Sequence, residues 1–399
     1  MTTAAARRSL AEALAGRLAE REARAIRRRV RPLAETVGTH VQLEGRRLLQ
    51  CCSNDYLGLA LHPAVTRAAA EAAQAHGAGA GSARLVAGTS TLHAALEDDL
   101  ARLKGTEAAL VFSSGYHVNA GLLPALAADG DLILSDALNH ASLIDGCRLS
   151  RAAVRVYRHA DVGHLEELLR NSEHFRHRFI VTESVFAMDG DLAPLAEIVA
   201  TARRHDAWTV VDEAHATGVF GPTGGGLVEQ LGLTDAIDVQ VGTLSKALGS
   251  LGGFVAGSRE LVDWLLNAAR TFVYTTATPP AVVAASRTAI RVLTTEPERR
   301  ARLWSNAAKL RESLQRVGFR LAAGTSPILP VLVGEAKDAV RLADAVLERG
   351  VLVPAIRPPT VQEGTARLRV TLMATHTDAD VEEAAAAFAA AGQATGLLG

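Results

Sequence analysis

Apolar residues along this chain fall into two kinds of stretch. Short unbroken runs read as buried strands, and longer stretches with apolar residues three or four apart read as helices. From Thr91 to about residue 256 the two alternate. The predicted strands are Ala108–Phe112, Leu132–Leu134, Val154–Val156, Phe179–Thr182, Thr209–Val211, Ala236–Val241 and Phe254–Ala256. The stretches between all but the last two are helix length. The sheet should therefore be mainly parallel with helices on both faces, an α/β fold. A helix over 92–104 stops at Gly105, a residue suited to the left-handed turn that ends a helix.

Upstream, Leu10, Leu14, Leu18 and Ile26 form one stripe, which predicts a helix from residue 4 to about 29, ended by Pro32. His40–Leu43 and Leu48–Gln50 around Glu44-Gly45 predict a hairpin, and Pro63 is placed to start a helix. Downstream, Phe272 to Pro280 should close the large domain. A helical region over about 281–317 should then cross to a smaller domain. Its strands lie near Ile328–Val331, Val351–Val353 and Leu368–Val370, and its helices near 336–349 and 378–391. The expected division is an N-terminal helix and hairpin (1–50), a large domain (51–285) and a small C-terminal α+β domain (286–399).

With 399 residues there is chain enough for two domains. A net charge of −1 offers nothing to nucleic acid or an anionic membrane, and no apolar run reaches membrane-spanning length. Cys51, Cys52 and Cys147 have the spacing of neither a disulfide framework nor a metal site. They fit a reducing, cytoplasmic compartment. The N-terminus is rich in Ala and Arg but has no unbroken apolar core, so it does not read as a signal peptide.

Candidate chemistry starts at Gly242-Thr243-Leu244-Ser245-Lys246-Ala247-Leu248-Gly249. Lys246 follows a buried strand in a loop that cannot stay helical. A lysine partly buried there loses hydration, and its free amine becomes available as a nucleophile. An ordinary surface lysine beside a glycine turn fits the octapeptide equally well. Upstream, a strand ends in Asp212, with His215 three residues on. An Asp at the carboxyl end of a buried strand lies at the mouth of an open α/β sheet and needs a cationic partner. The ring nitrogen of pyridoxal phosphate is one such partner, and that cofactor also uses a lysine Schiff base. The letters DEAH suggest a helicase, but the phosphate-binding loop a helicase requires is missing. Gly77 to Ser82 follows a helix rather than a strand, so it reads better as a mobile active-site loop than as a dinucleotide loop. Ser113-Ser114-Gly115-Tyr116 opens a helix after a strand and offers backbone N–H groups to a phosphate.

These motifs resemble the α-oxoamine synthases, a branch of the fold-type I pyridoxal-phosphate enzymes. Further agreement comes from Ser53-Asn54-Asp55-Tyr56-Leu57-Gly58-Leu59, Asn139-His140-Ala141-Ser142-Leu143 and Met188-Asp189-Gly190-Asp191. The resemblance covers residues 10 to about 390. It implies a homodimer with pyridoxal 5'-phosphate on Lys246 and Asp212 on the ring nitrogen. It also implies His140 stacked on the ring and His215 at its phenolic oxygen. Ser114, Gly115, Tyr116 and Thr243 would complete the cofactor site, with Thr275 and Thr276 reaching the neighbouring subunit's phosphate. Arg369 would grip the amino-acid carboxylate, with Asn54, Thr360 and Arg27 as further substrate contacts. Ala355 to Val361 and Gly364 to Arg369 look like the biotin-pathway member, which condenses L-alanine with pimeloyl-CoA or a pimeloyl-carrier protein.

One position departs from the family. Ala187 stands before Met188-Asp189-Gly190, where a serine hydroxyl usually meets the phenolic oxygen. That hydrogen bond is either absent or supplied by His215 and a water. Other α-oxoamine synthases, such as glycine C-acetyltransferase, and a cofactor-binding scaffold without turnover are the alternative readings.

Overall fold

The computed structural model describes residues 9–34 and 38–398. The N-terminal helix is shorter than its apolar stripe predicts. α1 spans Leu10–Ala23, capped by the Ser9 side chain, and residues 4–8 of the expected helix lie outside the described residues. The chain leaves it at Ala25, where φ is +54, well before Pro32. Of the stripe, Leu10, Leu14 and Leu18 are exposed and Ile26, beyond the end of the helix, is buried.

β1 (His40–Leu43) and β2 (Arg46–Gln50) form the expected hairpin. After it come α2 (Pro63–His76), α3 (Thr91–Lys104) and β3 (Ala108–Phe112). The alternation continues through α4 (Gly115–Leu126), β4 (Leu132–Asp136), α5 (Ala141–Leu149), β5 (Ala153–Tyr157), α6 (Val162–Arg170), β6 (Arg178–Glu183) and α7 (Leu195–Arg204). Next come β7 (Trp208–Asp212), the short α8 (Leu227–Gln230), β8 (Val239–Thr243) and β9 (Gly253–Gly257). One seven-stranded sheet results, in the order β3-β9-β8-β7-β6-β4-β5. β5, β4, β6, β7 and β8 run parallel, and β9 is antiparallel to both its neighbours. The inner parallel strands β4, β6, β7 and β8 are buried on both faces, which is why they read as unbroken apolar runs, whereas β5 at the edge is largely exposed. β6, β7 and β8 therefore end side by side, and their carboxyl ends carry Glu183, Asp212 and Thr243.

α9 (Arg259–Ala268) and α10 (Arg270–Val273) cover one face of this sheet, and α11 (Pro280–Thr295) joins the core of the other. Val283, Ala289, Val292 and Leu293 of α11 are buried with Leu96, Leu100 and Phe254. The expected domain boundary at 285 thus falls inside a helix that belongs to the large core. The helical region breaks at Pro297, and α12 (Glu298–Arg316) leads to the second core. That core holds β10 (Ile328–Gly334), α13 (Ala336–Glu348), β11 (Val351–Leu352), β12 (Ala355–Ile356), β13 (Ala366–Thr371) and α14 (Asp378–Ala394). β11 pairs with β2, so the N-terminal hairpin is a part of the small domain rather than a segment of its own.

Candidate active site

The loop after β8 is held tightly. The Thr243 hydroxyl donates to the carbonyl of Gly252 at 2.8 Å and accepts the N–H of Ser245 at 3.2 Å. The N–H of Gly249 donates to the Lys246 carbonyl at 2.8 Å. Gly249 has φ +59, and a side chain there would run into the backbone of Ala60. Lys246 is half-buried and its Nζ lies 2.9 Å from Nε2 of His215. Burial lowers its pKa to about 8, Asp212 and Glu183 oppose that fall, and Arg369 adds to it. A lysine so placed has far more free amine near neutral pH than an exposed lysine has.

Asp212 ends β7, is 6% exposed, and forms no ion pair among the described residues. Its oxygens accept Asn119 Nδ2 and the N–H of Ala214, both at 2.9 Å. Asn119 also donates to Ser142 Oγ at 2.9 Å. The carboxylate is therefore fixed and still lacks a cation.

His215 is buried, and burial, then Lys246, Arg369 and His140, hold its pKa well below the ordinary value. It is a neutral imidazole with one donor and one acceptor. Its Nδ1 lies 2.7 Å from the hydroxyl of Tyr56. Tyr56 in turn accepts from Arg369 Nη2 at 3.3 Å. Arg369, on β13, also donates to the Ala187 carbonyl at 2.6 Å and to Asn54 Oδ1 at 3.1 Å. Two of its five N–H groups remain without a partner among the described residues, enough for one carboxylate. Ala187 thus reaches the site through its backbone, which orients Arg369.

His140 caps α5, with Nδ1 2.8 Å from Ser142 Oγ, and its ring is exposed in the single chain. Ser114 caps α4 by accepting the N–H of His117 at 3.1 Å, and Gly115 is the first residue of that helix. Gly253 of β9 passes so close that a Cβ there would lie 2.7 Å from Gly115 backbone atoms. Tyr116 is exposed and donates to Asp145 at 2.6 Å.

The structure therefore joins Lys246, Asp212, His140, His215, Arg369 and Asn54 through hydrogen bonds or mutual charge effects. No hydrogen bond or ion pair among the described residues links Arg27, Thr360, Thr275 or Thr276 to them. Arg27 pairs with Glu22 at 3.4 Å, and it is Arg28 that donates to Thr360, at 2.9 Å. Thr276 bridges to Ala83, beside the Gly77 to Ser82 loop. Sequence reasoning missed Tyr56, Glu183 and Asn119 as site residues. Tyr56 stands in the same motif as Asn54, and Glu183 ends a buried strand as Asp212 does. Asn119 gives no such signal, because it is a polar residue inside an apolar helix.

The residues present suit pyridoxal 5'-phosphate. A protonated ring nitrogen would supply the cation that buried Asp212 lacks, Lys246 has an available amine for the aldehyde, and the start of α4 offers N–H groups to a phosphate.

The pattern describing the family "Aminotransferase class I and II" matches residues 46–388. An 8-amino-7-oxononanoate synthase of Geobacter sulfurreducens is 49% identical over 98% of this chain and 100% of its own. Another from Anaeromyxobacter sp. strain Fw109-5 is 54% identical over 90% and 91%. Among solved structures, a serine palmitoyltransferase from S. paucimobilis with a bound PLP–myriocin aldimine superposes with a TM-score of 0.94 at 36% identity, covering 98% of this chain and all of that one. An 8-amino-7-oxononanoate synthase from Francisella tularensis gives a TM-score of 0.74 at 27% identity, covering 86% and 97%. The chain belongs to the class I and II aminotransferase family, on the pyridoxal-phosphate branch that holds the 8-amino-7-oxononanoate synthases.

Proposed function

We propose that this chain condenses L-alanine with a pimeloyl thioester, on CoA or a carrier protein, releasing CO₂, the free thiol and 8-amino-7-oxononanoate for biotin synthesis. The observation that carries this reading is the convergence of the Lys246 amine, the Asp212 carboxylate and the Arg369 guanidinium in one buried cluster. Bound there, pyridoxal 5'-phosphate supplies an electron sink for negative charge at the amino-acid Cα.

The chain's own residues do the rest. Asp212 balances positive charge at the ring nitrogen, held in place by Asn119 and Ala214. Arg369 pairs two N–H groups with the amino-acid carboxylate, beside Asn54. Lys246 takes the Cα proton as general base and returns a proton from its amine. His215, neutral and buried, keeps a polar N–H at the cluster. His140, Ser114, Gly115, Tyr116 and Thr243 would hold the cofactor, with His140 stacked on its ring. Arg27 and Thr360 meet the acyl group.

The reading also includes a homodimer in which Thr275 and Thr276 reach the neighbour's phosphate. Two features support it: the exposed His140 ring and the uncovered Leu10, Leu14 and Leu18 stripe. No described helix is long and apolar enough to cross a membrane, and all three cysteines are free, which supports a cytoplasmic setting.

The test is a panel of thioesters with alanine and with glycine. Alanine with pimeloyl-CoA or pimeloyl-carrier protein should give the fastest turnover. Preference for glycine with acetyl-CoA would assign the chain to the glycine C-acetyltransferases. Cofactor uptake with no turnover on any pair would leave a scaffold. Sedimentation of the active protein should show two chains, and full activity in a monomer would remove Thr275 and Thr276 from the site.

A further inference from the structure

The carboxyl ends of β6 and β7 place two carboxyl groups together. Glu183 and Asp212 are register partners on neighbouring parallel strands, 5% and 6% exposed. Such strands lie about 4.8 Å apart. Two like charges so close and so buried disfavour the second ionisation. The number of donors decides which group keeps its charge. Asp212 accepts two, from Asn119 and Ala214. Glu183 accepts one, the backbone N–H of His140, at 2.6 Å.

The other groups facing Glu183 do not reverse this order. Burial and then Asp212 raise its pKa, Lys246 and the His140 N–H oppose them, and Asp136 raises it further, to about 8. Asp136 is itself paired with His159 at 2.9 Å. Meanwhile the turn that presents His140 is tied down on both sides. Asn139 donates to the Val181 carbonyl at 2.8 Å and to Ser135 at 2.9 Å, and accepts the N–H of Glu183 at 3.2 Å. The His140 N–H is the next contact of this turn with β6.

We propose that Glu183 works as a neutral carboxylic acid and a positioning residue. Its carboxyl holds the backbone of His140 in place, and its proton leaves Asp212 as the negative charge available to the cofactor ring. This rests on the pyridoxal-phosphate reading of the site and adds a residue to it. A second ionised carboxylate would compete with Asp212 for the ring's positive charge. A neutral acid keeps the hydrogen bond to His140 without that competition.

The experiment compares cofactor-free parent protein with Glu183→Gln and Glu183→Leu at pH 7. The infrared difference spectrum between parent and Glu183→Gln should show a protonated carboxylic-acid band that the variant lacks. Pyridoxal 5'-phosphate should bind Glu183→Gln within about twofold of the parent, because Gln keeps a neutral acceptor for His140. Glu183→Leu keeps the bulk but leaves the His140 N–H unpaired, so affinity should fall roughly tenfold. Absence of the band would overturn the proposal, as would a Gln variant that binds as weakly as Leu. A Leu variant that binds like the parent would remove the positioning role. Should Leu fail to fold by circular dichroism, the band and the Gln affinity still decide. A parent that takes up no cofactor would overturn the reading of the site and this proposal with it, whereas normal uptake with the wrong variant pattern sinks the proposal alone.

Discussion

Lys104 and Glu213 form an ion pair in which neither side chain meets solvent. Lys104 ends α3, and Glu213 directly follows Asp212. The ammonium also donates to the Gly225 carbonyl, and the second Glu213 oxygen accepts the N–H of Val228 at 3.0 Å. The turn that carries Asp212 and His215 is thereby tied to a helix of the large core. Both ions are well satisfied, so removing one strands the other in a water-free place. Lys104→Met should lower stability by about 3–5 kcal/mol. Adding Glu213→Leu should restore part of the loss, because the stranded charge goes with it. Thermal unfolding midpoints of the single and double variants check this. A double variant less stable than Lys104→Met would show that the pair contributes more than mutual neutralisation.

The same loop fixes the reactivity of Lys246. Burial lowers its pKa to about 8 while Asp212 pulls the other way. In cofactor-free protein, acylation of Lys246 should rise through a midpoint near pH 8, followed by peptide mapping. Asp212→Asn removes the first of the opposing charges, so the midpoint should move to lower pH. A midpoint that moves up would mean Asp212 does not act on the amine. With cofactor added and borohydride applied, the label should map to Lys246. A label on Lys104, Lys309 or Lys337 would displace the assignment.

Much of this site was legible in the chain because strand ends are easy to read. Asp212 and Lys246 each close an apolar run, and a parallel sheet brings such ends to one mouth. The seven strands followed from the same runs. What failed were features set by distant packing. The Leu10 to Ile26 stripe has helical spacing, yet no core faces Leu10, Leu14 and Leu18, and the helix stops at Ala23. β11 pairs with β2 across some 300 residues of chain, a contact that no local pattern announces. Arg27 and Arg28 are equivalent in a run of three arginines, and only the fold shows which reaches Thr360. Tyr56 shares a motif with Asn54, but its hydroxyl matters because Arg369 and His215 arrive from other parts of the chain.

His159 sits between two carboxylates, 2.9 Å from Asp136 and 2.7 Å from Asp191. Burial alone would lower its pKa, but the hydrogen bonds and charges of the two aspartates raise it to about 10. The folded value thus exceeds the unfolded value of about 6.5. Its contribution is complete below that unfolded value and is lost as pH rises toward 10. The thermal midpoint of the parent should therefore fall over this window more steeply than that of His159→Gln. Parallel curves for the two proteins would mean that the aspartates do not hold the imidazolium. Because Asp191 follows the stretch Ala187 to Gly190, whose Ala187 carbonyl accepts from Arg369 and whose Asp189 carboxylate pairs with Arg367, the loss should reach the site as weaker cofactor retention.

Tyr56 and His215 set the last expectation. The Tyr56 hydroxyl has one proton and two acceptors in reach, His215 Nδ1 at 2.7 Å and Asn54 Oδ1 at 3.4 Å. The shorter contact takes it, and Asn54 already accepts from Arg369. His215 then accepts at Nδ1 and carries its proton on Nε2, facing Lys246 at 2.9 Å. Arg369 donates to the same hydroxyl, which polarises it and strengthens its donation to His215. Above pH 8, where the Lys246 amine is largely free, ¹⁵N spectra of the histidine ring should show the Nε2–H tautomer. Tyr56→Phe leaves Nδ1 buried without a partner, at a cost of about 1–3 kcal/mol. The variant should unfold at lower temperature and show His215 as a mixture of tautomers. An unchanged tautomer in Tyr56→Phe would mean that Lys246, and not Tyr56, decides where the imidazole proton sits. The lowered stability would then reflect the lost hydroxyl contacts with His215 and Arg369, since phenylalanine fills the same space and differs only by the hydroxyl.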